Sequence, residues 1–112
     1  MQHEVLDEIS LELGRRVAAR LRAAPGLLQV ARDNLARWLG QNPNSPALVR
    51  CYSEWQRLLA ERPLDEICRI LEADGQENRR LRQNSPFAGV LKPSEVWSIK
   101  TAARQRHAKI RA

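Results

Sequence analysis

Apolar residues recur every three or four positions along almost the whole of this chain, and prolines and glycines cut that pattern into short lengths. A period near 3.6 is the signature of helices that bury one face. In residues 4–23 the stripe is Leu6, Ile9, Leu13, Val17 and Leu21, with Arg15, Arg16, Arg20 and Arg22 largely off it. Ala24-Pro25-Gly26 interrupts, and a second helix over about 26–39 presents Leu28, Ala31, Leu35 and Trp38, with Gly40 as the expected C-terminal cap. The turn QNPNSP follows, in which Ser45 is placed to cap free amides and Pro46 to occupy the first helical position.

The helix expected next, to about 61, carries Leu48, Cys51, Tyr52, Trp55, Leu58 and Leu59 on one face. Arg62-Pro63 ends it and opens a shorter one with Leu64, Ile67, Cys68 and Leu71. After Asp74-Gly75, residues 76–83 give two further turns. Pro93 then starts a last helix with Ser94 and Glu95 in its first turn and Val96, Ile99, Ala103 and Ile110 as its stripe. No segment of useful length alternates with period two. The expected fold class is all-α: a single small bundle of five or six short helices with a basic C-terminal helix. The expected division is a bundle over 1–92, including an apolar loop at 84–92, and a basic helix over 93–112 packed on it or extending from it.

With 112 residues, 43% hydrophobic and 29% charged, the chain suits one globular domain rather than a disordered segment. Only five residues are aromatic, so aliphatic side chains must fill most of the core. No apolar run approaches a membrane span of roughly 18 residues, and the acids in MQHEVLDEIS do not suit a secretory leader. The expectation is a cytoplasmic protein with no membrane contact. Cys51 and Cys68 have no CxxC or clustered His around them, so they read as free thiols rather than metal ligands or a disulfide.

The net charge of +6 is unevenly placed. Residues 79–112 hold nine basic residues (Arg79, Arg80, Arg82, Lys92, Lys100, Arg104, Arg106, Lys109 and Arg111) against Glu95 alone, a balance of 9 − 1 = +8, which leaves 6 − 8 = −2 for residues 1–78. Such asymmetry points to an acidic partner at one end, whether nucleic acid or protein. The bland alternative is a solvated charged tail. Catalysis has little support: His3 and His107 stand near opposite ends of the sequence, with no nucleophile elbow or phosphate loop near either. The expectation is a protein that is not an enzyme and needs no cofactor or metal.

Two segments carry the functional reading. PLDEICRILEADGQENRRLRQ (63–83) has the outline of a helix-turn-helix, which would make Arg79, Arg80 and Arg82, together with Lys100 and Arg104, candidate nucleic-acid contacts. Leu81 is almost its only inward anchor, so a plain helical hairpin competes with that reading. The second segment is the loop around Phe87. Pro86 forces Ser85 into an extended conformation, and Gly89 permits positive φ. Phe87, Val90 and Leu91 either plug the base of the bundle and aim the last helix, or form an exposed docking segment with Trp97 as anchor. Lys100, Arg104 and Lys109, read as lying roughly along one side of the last helix with Arg106 and Arg111 nearby, would with Arg106 reach a partner.

The succession ARDNLARW (31–38), EWQRLL (54–59), RLRQNSPFAGVL (80–91) and PSEVW (93–97) resembles a group of small bacterial proteins that share an R-Q-x-S-P-F-A-G-V-L ladder. The likeness covers most of residues 4–99, and Arg82 to Leu91 is its most specific part. Members of that group look like the antitoxin partners of nucleotidyltransferase-type toxins. The resemblance therefore implies a toxin-antitoxin role, in which a cognate protein is bound and neutralised; the alternative is a DNA-binding regulator. Asn84 departs from the Ser expected there, and the basic tail TAARQRHAKIRA continues beyond the motif.

Overall fold

The computed structural model of the chain describes the backbone of residues 2–111 and the side chains of residues 3–109. Six α-helices follow one another: α1 (Gln2–Ala23), α2 (Leu28–Gln41), α3 (Pro46–Glu61), α4 (Leu64–Glu72), α5 (Gln76–Arg82) and α6 (Pro93–Arg111). A single 3₁₀ turn, Pro25–Leu27, links α1 to α2. The described residues contain no strand, and the all-α reading holds.

Helix α1 is the spine. One side lies against α4, the other against α6. The α1–α4 approach is unusually close at Gly14, where a Cβ would stand 2.0 Å from the Leu71 carbonyl oxygen. Only glycine leaves room for that crossing. Around it Ala18, Leu21, Ile67, Cys68 and Leu71 are buried, and the Cys68 thiol donates to the Ala18 carbonyl at 3.6 Å. Burial raises the Cys68 pKa by disfavouring the thiolate. Both cysteines are free, Cys51 being half-buried.

Helices α2 and α3 form an antiparallel hairpin across the QNPNSP turn. Ala31, Leu35, Trp55 and Leu59 join the same core, and Trp38 packs on Tyr52 with ring centroids 5.4 Å apart. Two local expectations fail here. Gly40 lies inside α2, and the helix ends at Asn42, whose Nδ2 donates to the Trp38 carbonyl at 2.8 Å. An asparagine side chain thus does the capping expected of glycine. Ser45 does precede Pro46 at the start of α3, but its side chain makes no capping hydrogen bond.

The loop between α5 and α6 is part of the core. Pro86, Phe87, Val90 and Leu91 are buried, Phe87 at 3% exposure. Phe87 meets Trp55 edge to face at 5.6 Å, while the Trp55 indole N–H donates to the Leu81 carbonyl at 3.0 Å. Asn34, buried on α2, donates through Nδ2 to the carbonyls of Pro86 (2.8 Å) and Ala88 (2.9 Å), and its Oδ1 accepts from Arg37 at 2.6 Å. A segment with no regular structure needs such a partner for its buried carbonyls. Gly89, at φ +95°, supplies the left-handed residue that turns the chain toward α6. The plug alternative therefore describes this loop. Phe87, Val90 and Leu91, expected as partner-binding residues, are core residues that aim the last helix.

Helix α6 is likewise integral. Ile99 and Ala103 are buried against the bundle, and Val96 packs at its edge. It runs antiparallel to α1, fastened at both ends. Glu95 takes Arg20 at 2.8 Å and Arg16 at 3.5 Å; Arg106 and His107 both reach Glu8, at 2.5 Å each. The Arg106 hydrogen bond, aided by His107, holds the Glu8 carboxyl below its usual pKa range. The side chains of Ile110 and Arg111 lie outside the described residues. Leu6, expected in the core, is 55% exposed.

Candidate functional site on the outward face of the last helix

The contacts of α6 define its free side. Ile99 and Ala103 point inward, and an α-helix turns about 100° per residue. Trp97, Thr101, Arg104 and Ala108 then fall within an arc of about 60° on the opposite side, and Lys100 borders that arc about 40° further round, toward the bundle. Trp97 is 68% exposed, the largest exposure of any large apolar side chain among the described residues. Lys100 is half-buried and Arg104 is exposed, and neither makes an ion pair among the described residues. Lys100 is one turn from Trp97, and Arg104 one turn further, so an indole and two uncommitted cations form one continuous stripe.

The other basic residues assigned to this face are elsewhere. Lys109 stands nine residues beyond Lys100, which is about half a turn off around the axis, and so it faces away from Lys100 and Arg104. Arg106 is engaged with Glu8. The sequence pattern placed Lys100, Arg104 and Lys109 on one side with Arg106 nearby; the helix geometry gathers Trp97, Lys100 and Arg104.

The arginines of α5 offer less than their number implies. Arg79 pairs with Asp74 at 3.1 Å and lies 3.8 Å from Asp7. Arg80 pairs with Glu54 at 2.6 Å and with Glu77 one turn back. These carboxylates raise both arginine pKa values by hydrogen bonding to the charged form. Arg82 is buried at 7% exposure. Its Nε donates to Ser10 Oγ (3.1 Å) and its Nη1 to the Ala73 carbonyl (2.7 Å), while Nη2 is buried without a partner. Loss of solvation lowers its pKa. A guanidinium enclosed between α1, α4 and α5 cannot reach a phosphate, so Arg82 is withdrawn from the nucleic-acid contacts. Helix α5 is also only seven residues long, too short to present a reading face beyond its internal pairs.

Nothing in the composition singled out Gly14, Asn34 or Glu8, although each fixes part of this arrangement. Asn34, one residue before Leu35 of the apolar stripe, was the most legible of the three: a carboxamide on an inward face must find partners. Among the described residues no three His, Cys, Asp or Glu side chains converge as a metal site requires. No described helix is long and apolar enough to cross a membrane.

Burying an indole removes roughly 150–250 Å² from water, which at 25 cal/mol/Å² is worth about 4–6 kcal/mol before the costs of association. Aromatic and Arg side chains together are the usual anchors of protein interfaces. The stripe has the chemistry of a contact surface, apolar at one end and cationic along its length. Comparison with family models, curated proteins and solved structures finds no match for the chain.

Proposed function

We propose that this chain is a non-enzymatic, antitoxin-like protein that binds a co-encoded protein in equal stoichiometry and neutralises it, the target being a nucleotidyltransferase-type toxin, as the sequence resemblance implies. The outward stripe of α6 supplies the contact. Trp97 seats in an apolar pocket of the partner, while Lys100 and Arg104 pair with carboxylates around it. An acidic catalytic cleft is the natural complement, because a catalyst that handles nucleotides through divalent cations must carry carboxylates. Occupying that cleft would exclude the substrate.

The observation that carries the reading is the 68% exposure of Trp97 on a helix where, among the described side chains, Ile99 is buried and Val96 half-buried. Packing of Ile99 and Ala103 makes removal of the helix a poor test, since truncation after residue 98 would also open the core. Point substitutions on the outer face are cleaner. Co-expression with the co-encoded toxin, read as growth, should show rescue by the native chain. Trp97→Ala with Lys100→Glu and Arg104→Glu should lose rescue while remaining folded. Undiminished rescue by that variant would overturn the assigned face.

Lys100 and Arg104 also suit phosphates, so a DNA-binding regulator uses the same residues. Salt separates the two. Binding through several phosphates weakens by orders of magnitude over a few-fold rise in salt, whereas a complex seated on Trp97 loses far less.

A further inference from the structure

A second place on the molecule carries uncommitted recognition groups. Trp38 on α2, Asn42 just after it, Tyr52 on α3 and the turn Gln83-Asn84-Ser85 line an open cleft of about 220 Å³. No residue of α6 contributes to it. Two of the lining side chains, Trp38 and Tyr52, pack on each other with their rings inclined at 45°. Asn42 spends its Nδ2 on the Trp38 carbonyl and so keeps Oδ1 as an acceptor. Among the described residues the side-chain amides of Gln83 and Asn84, the hydroxyls of Ser85 and Tyr52 and the Trp38 indole N–H have no hydrogen-bond partner within the protein.

These groups have a definite chemistry. No charged residue lines the cleft, so whatever portion of a ligand enters it is neutral. The lining side chains carry both donors and acceptors, which suits a ligand that carries both. Its volume is below the roughly 300–1,000 Å³ of pockets that bury drug-sized ligands, leaving room for one ring system. Aromatic faces with carboxamides at their edge are the combination that holds an unpaired base: stacking against the ring and paired hydrogen bonds to its edge. We propose that this cleft binds a planar, uncharged heterocycle with in-plane donors and acceptors, that is, a nucleobase, presented either as a free nucleoside or as an unpaired residue of a strand.

The test uses the full-length ¹⁵N-labelled protein and the four ribonucleosides as probes. Each tryptophan gives one indole N–H resonance, and the Trp97→Phe and Trp38→Phe variants assign Trp97 and Trp38. At least one nucleoside should shift the Trp38 indole and the Asn84 side-chain amide and leave Trp97 unmoved. Asn84→Ala, which removes a side chain free of internal hydrogen bonds, should keep the spectrum folded and weaken that binding by roughly tenfold, as loss of a paired edge contact does. Equal affinity for a nucleoside and its 5′-monophosphate would mean that the base alone is read. Tighter, salt-sensitive binding of an unstructured oligonucleotide would identify a strand as the source. No Trp38 shift with any nucleoside up to saturation would overturn the proposal. So would a shift produced only by methyl glycosides or a proline-rich peptide, or nucleoside binding unaffected by Asn84→Ala.

Discussion

Replacing Asn34 with alanine tests how the irregular loop is held. The carboxamide meets the Pro86 and Ala88 carbonyls at 2.8 and 2.9 Å and accepts from Arg37. Each neutral hydrogen bond is worth about 1 kcal/mol net, and a buried group left without its partner costs about 1–3 kcal/mol. The Pro86 bond is fully enclosed and the Ala88 bond partly so. The expected loss is therefore about 2–4 kcal/mol, a large part of the roughly 5–15 kcal/mol that stabilises a domain of this size. With a urea dependence of about 1–1.5 kcal/mol per molar, the unfolding midpoint should fall by roughly 2 M. Near-ultraviolet circular dichroism should weaken too, because the Trp55–Phe87 contact depends on the loop position. A loss below about 1 kcal/mol, with the aromatic signal intact, would refute the view that Asn34 anchors the plug.

Gly14→Ala should destabilise by about 2 kcal/mol or more despite the higher helix propensity of alanine, since the new methyl would meet the Leu71 carbonyl at 2.0 Å; a gain in melting temperature would contradict the crossing geometry. Glu8, whose carboxyl is held low by Arg106 and His107, contributes stability that is fully present above its ordinary value of 4.5 and lost as pH falls through its lower folded value. Glu8→Gln should therefore flatten the acid limb of the stability–pH profile, and an unchanged limb would show that this latch is not formed. Arg82→Ala should leave a cavity and cost more than Arg82→Met, whose stem fills the same space without the unpartnered Nη2; urea titration of the two variants ranks them. Cys68 should resist a thiol reagent until the protein unfolds while Cys51 reacts earlier, which single-Cys variants would separate.

Much of the architecture was legible because the helices obey local rules. The stripes Ile9-Val17-Leu21 and Ile67-Cys68-Leu71 are buried as their spacing predicts, and Pro46 and Pro93 mark true helix starts. What could not be read depended on contacts distant in sequence. Asn34 reaches over fifty residues to its carbonyls, and Glu8 nearly a hundred to His107, so the partners of neither could be read locally. His3 and His107 stand far apart in sequence, yet the antiparallel α1–α6 pair brings His107 to Glu8, five residues along α1 from His3. The arginines of α5 misled for a related reason. A cluster of like charges reads as a free patch until Glu54, Asp7 and Asp74 are found beside it. Lys109 misled through arithmetic, since nine residues is two and a half turns rather than a whole number.

The most direct test of the central proposal is capture from native cells, comparing the tagged full-length protein with its Trp97→Ala, Lys100→Glu, Arg104→Glu variant, each with and without nuclease. The account predicts that the native chain retains one protein partner at equal stoichiometry, insensitive to nuclease, and that the variant loses it while keeping its helical circular dichroism. A partner held equally well by the variant, or capture abolished by nuclease, would contradict it.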